Sequence, residues 1–356
     1  MFLDIKGFNE YVNFLPEDRV QTCRTEIVHW ADLTRQSAPF SIVDVENGMV
    51  NGIFHLADPA SGIYVHDQQN AFYSKPASGR ISSLGAFEIN NDNIVDHDAV
   101  ALVIGGHRNH WHFLINFLPR LMMVEAFFPS ILDSVDTIVL NDDPNSFQLE
   151  VIKRIFKKDK ITLLSRQDQA WHRFRRVYYP SMVKNIEMNP FALQRARCRL
   201  LEAFDLLDAV GAENGIFVDR SYPTPRRRLA NSSVINKILN QRRINPMLCE
   251  KFTPREQVAA FFTAPVVAGL HGAGMANIIF CRPHTPVVIV DYKWPSEMYA
   301  LAAVMGLRPN ILLADQDIDH EYEALNPKFQ SRLRDLKPAP KQMDAALCSA
   351  WLLAQE

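Results

Sequence analysis

Three clusters of residues carry side chains suited to holding an anion or moving a proton. The first is VVAGLHGAGMANIIF, residues 266–280. An apolar run reaches His271, then Gly272, Ala273 and Gly274, and a second apolar run with Asn277 follows. This reads as a strand, a tight turn and the start of a helix. Glycines at such a turn let backbone N–H groups approach an anion under the positive end of the helix dipole. A tight turn that binds nothing is the competing reading, and this stretch alone does not separate the two.

The second cluster is VDRSYPTPRRRLANSS, residues 218–233. Arg220 lies just past a predicted strand, and Arg226, Arg227 and Arg228 precede a helix cap. Arginine grips phosphate oxygens with a two-pronged fork, and several beside a glycine turn would neutralise a diphosphate. A solvated basic loop is the ordinary alternative. Position favours a site: Arg220 and His271 both fall at predicted strand carboxyl ends, where layered α/β domains bind ligands.

The third cluster is HRNHWHFLINFLPRL, residues 107–121. His107, His110 and His112 suggest a metal, but no carboxylate follows until Glu125, and no metal is expected. On a helix, His112 and Asn116 share a face, with Arg120 one turn further. Trp111, Phe113, Leu114, Ile115, Phe117 and Leu118 make everything around them apolar. Such a polar stripe needs partners, either core hydrogen bonds or a substrate cleft.

Weaker signals compete. Gly272-Ala273-Gly274 followed by Asp291 resembles a nicotinamide dinucleotide fingerprint, although Asn277 stands at its third glycine position. DID at 317–319 resembles a metal-binding acidic pair, and WHRFRR at 171–176 could touch an anionic membrane surface. A plain turn and an exposed strand are the favoured readings of these last two.

The elements that must position these clusters follow from patterning. Residues 40–104 hold short β-branched runs separated by Asn, Gly and Asp. Residues 109–128 are apolar enough for a buried helix, and DTIVL, ITLL and VYYP alternate with helical segments as in a parallel sheet. Residues 191–213 read as one helix. After it, GIFVD, PVVAGL, PVVIVD and NILLA are strands alternating with NSSVINKILNQ, TPREQVAAFF and SEMYALAAVMG as helices. Asn231 or Ser232 caps the first of these helices. Thr253, with Pro254 at the first helical position and Glu256 completing a capping box, opens the second. Strict alternation of this kind makes a Rossmann-like layered domain. Residues 341–355 form a closing amphipathic helix.

Bulk properties bound the class. At 356 residues, two domains are the default. Hydrophobic residues make up 47% and charged residues 22%, as in an ordinary globular protein, and a net charge of -2 argues against bulk nucleic-acid binding. The five cysteines are scattered without a CxxC pair, so neither a disulfide framework nor a zinc ribbon is expected. MFLDIKGFNEYVNF lacks the basic start and apolar core of a secretion signal, and no run of eighteen apolar residues occurs. A cytoplasmic protein is the expectation.

Together and in this order, the clusters resemble glycosyltransferase family 61. HWHFLINFLPRL resembles its His-aromatic-Leu segment ending in Pro-Arg-Leu, and DRSYPTPRRRLAN its Ser-Arg…Arg-Arg…Asn segment. FTPREQVAAFFTAPVVAGLHGAGMANIIFCRP resembles its Glu-Gln helix and His-Gly-Ala-Gly…Asn signature. The likeness covers roughly residues 105–305. It departs at Asp219, where the family often has Ser, and at Asn116, where it often has an acid.

The resemblance implies an α/β protein of GT-B architecture, two Rossmann-like domains facing across a cleft. The expected parts are an acceptor-side domain (1–205), a nucleotide-sugar domain (206–330), and a final segment (331–356) returning to the first domain. It implies an inverting, metal-independent transfer without a cofactor, from a nucleotide sugar, with UDP the expected nucleotide. The acceptor would be an oligosaccharide or lipid-linked glycan in surface-polysaccharide assembly, at the inner face of the membrane and without nucleic acid. Carried onto this chain, the donor residues are Arg220, Arg226, Arg228, Glu256, His271, Gly272, Ala273, Gly274 and Asn277. The catalytic pair is His112, as base, and Asn116. A non-catalytic sugar-nucleotide binder and a dehydrogenase are the alternatives.

Overall fold

The computed structural model describes residues 3–5, 17–52, 55–60, 63–65, 93–106, 108–141, 144–156, 160–165, 170–181, 187–220, 228–317 and 335–355. His107, Arg226, Arg227 and the last two residues of DID lie outside this set. The chain divides into two compact units, Met1–Ile27 with Arg35–Ala192, and Val28–Thr34 with Leu193–Glu356.

The first unit is built on β1 (Leu3–Ile5), β2 (Val20–His29), β3 (Arg35–Glu46), β4 (Met49–Asn51), β5 (Leu56–Asp58) and β6 (Ile63–Val65). It continues with β7 (Ile94–Val103), β8 (Thr137–Asn141), β9 (Ile161–Leu164), β10 (Trp171–Pro180) and β11 (Glu187–Met188). All eleven join one sheet. Strands β9, β8, β7 and β10 are parallel neighbours in that order, and β10 then pairs antiparallel with β3 and β4.

The sheet is therefore mixed, and only its parallel part matches the Rossmann-like expectation. The physical reason lies at Asn47-Gly48. Here Asn47 is left-handed (φ 52°), but the pair kinks one continuing strand instead of reversing it, so Glu46 faces Arg176 and Met49 faces Arg173. The strand can therefore run the full length of β10 against its direction.

The β7–β8 crossover is residues 110–127, named α1. It comprises a turn His110–His112, a π-helical segment Phe113–Phe117 and an α-helix Leu118–Phe127. Every residue from Phe113 to Val124 is buried, as expected of a helix apolar on all sides. Helices α2 (Pro129–Ser134) and α3 (Ser146–Phe156) follow. The WHRFRR stretch is indeed a strand, and its arginines pair with acids: Arg173 with Asp96, Arg175 with Asp98 and Asp136, Arg176 with Asp44.

Helix α4 (Pro190–Ala203) ends ten residues earlier than its sequence suggests. Asp205 takes a left-handed conformation (φ 55°) and Leu206 N–H donates to Leu201 O at 2.8 Å, a helix stop usually marked by glycine. The second unit then winds through β12 (Gly215–Val218), α5 (Ser232–Gln241), β13 (Ile244–Met247), α6 (Pro254–Thr263) and β14 (Val267–Leu270). It completes with the 3₁₀ helix Ala273–Phe280, β15 (Pro286–Asp291), α7 (Glu297–Val304) and β16 (Arg308–Leu313). Its five strands are all parallel, in the order β13-β12-β14-β15-β16. A two-stranded antiparallel sheet, β17 (Asp315–Asp317) with β18 (Asp335–Lys337), and helix α8 (Pro340–Ala354) follow.

Helix α8 corrects one expectation. Its apolar face does not return to the first domain: Met343, Leu347 and Ala350 belong to the core that holds Val288, Val290 and Leu312 of the second unit's sheet. Arg242 ties it down with two bonds to Asp344, at 2.8 and 3.0 Å, and Trp351 Nε1 donates to Arg242 O. Truncating Leu347 to Ala should therefore cost about 2–5 kcal/mol of stability. Hydrogen exchange checks the location: β14 and β15 amides should lose protection in Leu347→Ala while those of β10 keep theirs.

Candidate active site

Numbered within the second unit, the strand order is 2-1-3-4-5, and its topological switch point lies between β12 and β14. Ligands of open parallel sheets bind at the carboxyl ends of the strands flanking that point. Arg220 follows β12, and His271 and Gly272 follow β14, so two of the three clusters meet there. Arg220 Nη1 donates to His271 O at 3.1 Å. The guanidinium presses so close to Gly272 that a Cβ there would overlap Nη1 and lie 2.8 Å from Cδ. Gly272 has an extended backbone (φ 176°), so glycine is required by the approach of Arg220 and not by strain.

The helix after the turn is 3₁₀ over Ala273–Phe280, tighter than the α-helix its sequence suggests, with Met275 N–H bonded to Gly272 O at 3.0 Å. Its residues from Met275 onward are buried, and Gly274 packs under Val218 and Cys249: a Cβ there would lie 3.1 Å from Val218 Cγ1. The N–H groups of Gly272, Ala273 and Gly274 belong to the first turn, where no carbonyl of the helix itself can receive them. They sit beside the Arg220 guanidinium as a second set of donors.

The register of the sheet explains His271. Leu270 of β14 faces Val290 of β15, so the next residues, His271 and Asp291, stand side by side. His271 Nδ1 is 3.0 Å from Asp291 Oδ2, and both side chains are buried. Asp291 also accepts from Ser296 Oγ (2.6 Å), Tyr292 N–H (2.7 Å) and Lys293 N–H (3.3 Å). Burial alone would raise this carboxyl, but the bonds from His271, Ser296 and Tyr292 outweigh it and hold the group below the ordinary carboxylate range. The carboxylate fixes the Nδ1–H tautomer of His271 and leaves Nε2 on the side of Glu297.

The sequence marks Ser296 and Glu297 only as the start of a helix, and the structure brings residues 292–297 around His271. The Tyr292 ring meets the imidazole edge-on at 5.0 Å, and Glu297 Oε1 lies 3.7 Å from His271 Nε2. Glu297 Oε2 pairs with Lys293 Nζ at 2.9 Å. The spacing of His271 and Asp291, each closing a predicted strand, was the available signal. Weighing Asp291 only as a ribose ligand concealed it. Its buried, fully engaged carboxylate cannot hold a ribose, which removes the dehydrogenase reading.

The third cluster keeps its internal geometry in the first unit. His112 Nδ1 lies 3.0 Å from Asn116 Oδ1 at the entry of the π segment, an arrangement often found at functional sites. With Asn116 as acceptor, Nδ1 carries the proton and Nε2 holds the lone pair. His112 is half-buried and Asn116 buried. Arg120, one turn on, is buried, donates to Ile104 O at 3.1 Å and lies over the Phe117 ring.

Other sequence candidates have structural duties. Asn277 is buried, and its amide donates to Gln257 Oε1 at 3.1 Å and approaches Cys249 Sγ, which clamps the 3₁₀ helix to α6. It is not a surface donor ligand. Glu256 is exposed and accepts from Thr253 N–H and Oγ1, both at 2.8 Å, completing the expected capping box. Those bonds hold its carboxyl below the ordinary range. Arg228 pairs with Asp335 at 3.0 Å, and its backbone N–H donates to the same carboxylate. Among the described residues no cluster of three His, Cys, Asp or Glu could hold a metal. All five cysteines are free, and burial pushes the Cys249 thiol up to about 12.

Asp291 makes stability depend on pH. Its folded-state pKa is depressed, so its contribution is present above the ordinary carboxylate value of about 3.9 and lost as pH falls through the folded-state value. Asp291→Asn removes the charge and keeps an acceptor. The gap in urea midpoint between wild type and variant should be widest near neutrality and close on acidification. A gap that stays constant would show that the charge on Asp291 is not what stabilises the fold.

The described geometry places an arginine, a glycine turn and a carboxylate-backed histidine at one switch point, and a histidine–amide pair on a buried helix. A search of curated proteins finds no match. The family model described as Glycosyltransferase 61 matches residues 110–288, half of the chain, and takes in His112, Asn116, Arg220 and the His271–Gly274 turn. This protein belongs to glycosyltransferase family 61.

Proposed function

We propose that this glycosyltransferase moves a sugar, with inversion, from a UDP-sugar to a hydroxyl of an oligosaccharide or lipid-linked glycan during surface or capsular polysaccharide assembly. The reading takes the two units to face each other in a GT-B arrangement, in the cytoplasm at the inner face of the membrane. The observation that carries it is the Arg220 guanidinium seated on Gly272 at the switch point, beside the first-turn N–H groups.

The chemistry follows from what each group can hold. An acceptor hydroxyl gives its proton to Nε2 of His112 as its oxygen attacks the anomeric carbon from the face opposite the leaving group. Asn116 Oδ1 accepts from Nδ1–H of His112 and so sets the tautomer in which Nε2 carries the lone pair. The bond from the anomeric carbon to the phosphate oxygen breaks, and its electron pair stays on the diphosphate. Arg220, the N–H groups of Gly272 to Gly274 and the Asp291-backed His271 stabilise that charge. Donors aimed at developing charge supply the electrostatic part of the catalysis, and no cofactor enters.

One specific observation favours a second reading, a non-catalytic binder of the same donor. Asn116 occupies the position where the family often carries an acid, and an amide cannot take a proton. Product formation separates the two.

Calorimetry with UDP and a panel of UDP-sugars tests the donor site. Arg220→Ala should weaken UDP binding by roughly 2–5 kcal/mol, and Gly272→Ala should weaken it in the same direction by displacing the guanidinium. Unchanged affinity in both would remove Arg220 from the site. His112→Ala should lose about 10²- to 10⁴-fold in kcat, the usual contribution of a general base, with UDP affinity unchanged. Full activity in His112→Ala would leave the base unassigned.

A further inference from the structure

We propose that Trp294 is the platform on which the donor's sugar ring stacks, with the Lys293–Glu297 pair contacting its hydroxyls. This rests on the donor-site reading above. Trp294 is 58% exposed, unusually open for an indole. It is not loose, because its ring meets Tyr299 of α7 edge-on at 5.1 Å. An exposed aromatic face held in one orientation suits the CH-lined face of a pyranose, which offers apolar area on one side and hydroxyls at its rim.

The order of groups outward from the switch point assigns the sugar to this loop. In the donor-site reading the diphosphate lies on Arg220 and the glycine turn, beside His271, and Glu297 Oε1 is 3.7 Å from His271 Nε2. A sugar is attached to the phosphate, so the first side chain beyond His271 meets the sugar. Glu297 in turn holds Lys293 at 2.9 Å, and both are partly open, with side-chain exposures of 23% and 34%. A carboxylate and an ammonium side by side offer an acceptor and donors to neighbouring hydroxyls. Trp294 lies next to Lys293 in the chain, on the same loop.

Calorimetry on the full chain distinguishes this from a platform for the nucleobase. Trp294→Ala should leave the affinity for UDP within twofold of wild type and lower that for the best-bound UDP-sugar by about 3- to 10-fold, the range of one aromatic stacking contact. Trp294→Phe should recover part of the loss. An equal loss for UDP and UDP-sugar would move Trp294 to the base, and no loss for either would dismiss the platform. Both results overturn the proposal while leaving the donor site standing. Failure of the wild-type protein to bind UDP or any UDP-sugar would overturn the donor site itself, and the platform with it.

Discussion

A single buried carboxylate organises the carboxyl edge of the second unit's sheet. Asp291 ends β15 without solvent and receives four donors, from an imidazole, a hydroxyl and two backbone N–H groups. Each donor belongs to a piece of chain that must be held still. His271 sits at the head of the glycine turn, Tyr292 and Lys293 begin the following loop, and Ser296 caps α7, accepting also from Tyr299 N–H. A buried ion of this kind is tolerated only because its bonds replace water almost completely. The turn that Arg220 touches and the loop that carries Trp294 are thus oriented by the same group.

The two histidines differ in what stands behind them. His112 leans on a neutral amide, which sets its tautomer without adding charge, so its outward nitrogen is a proton acceptor. His271 leans on a carboxylate, which fixes its Nδ1–H and its ring orientation. The proposed transfer needs one proton acceptor and one surface that meets the leaving anion. The two histidines stand apart in the chain, one on helix α1 of the first unit and one in the turn after β14 of the second.

Much of this was legible in the residues, and the failures have physical causes. Four of the five strands in the second unit's parallel sheet followed from alternation, while edge strand β13 (Ile244–Met247), with Asn245 and Pro246 at its centre, did not. Thr253, Pro254 and Glu256 marked a helix start that the structure bears out, because caps are local. Locality also explains the misses. Asn47 and Gly48 read as a break between runs, yet β10 offers a long partner on both sides of the kink, and β3 and β4 both pair with it. Helix α4 stops at Asp205 with no glycine to announce it. Asn277 looked like a ligand because it follows a glycine turn, but its amide is drawn into the core by Gln257, 20 residues earlier in the chain. Of the site, Arg220 and His271 could be paired from strand-end logic alone. Glu297 and Trp294 could not, since their relevance depends on where the loop after β15 folds back.

The place of α8 bears on how the chain comes to be folded as it is made. The second unit's five strands are all translated by Leu313, yet the face of β15 stays uncovered until Met343, Leu347 and Ala350 arrive. Sequential emergence lets an early domain fold as a unit while a later one waits. In this chain the core beneath the sheet that presents Arg220 and His271 is completed only once residues 343–350 have cleared the ribosome. Until then, a nascent chain exposes Val288, Val290 and Leu312, the surface on which a chaperone or an unwanted second chain would settle.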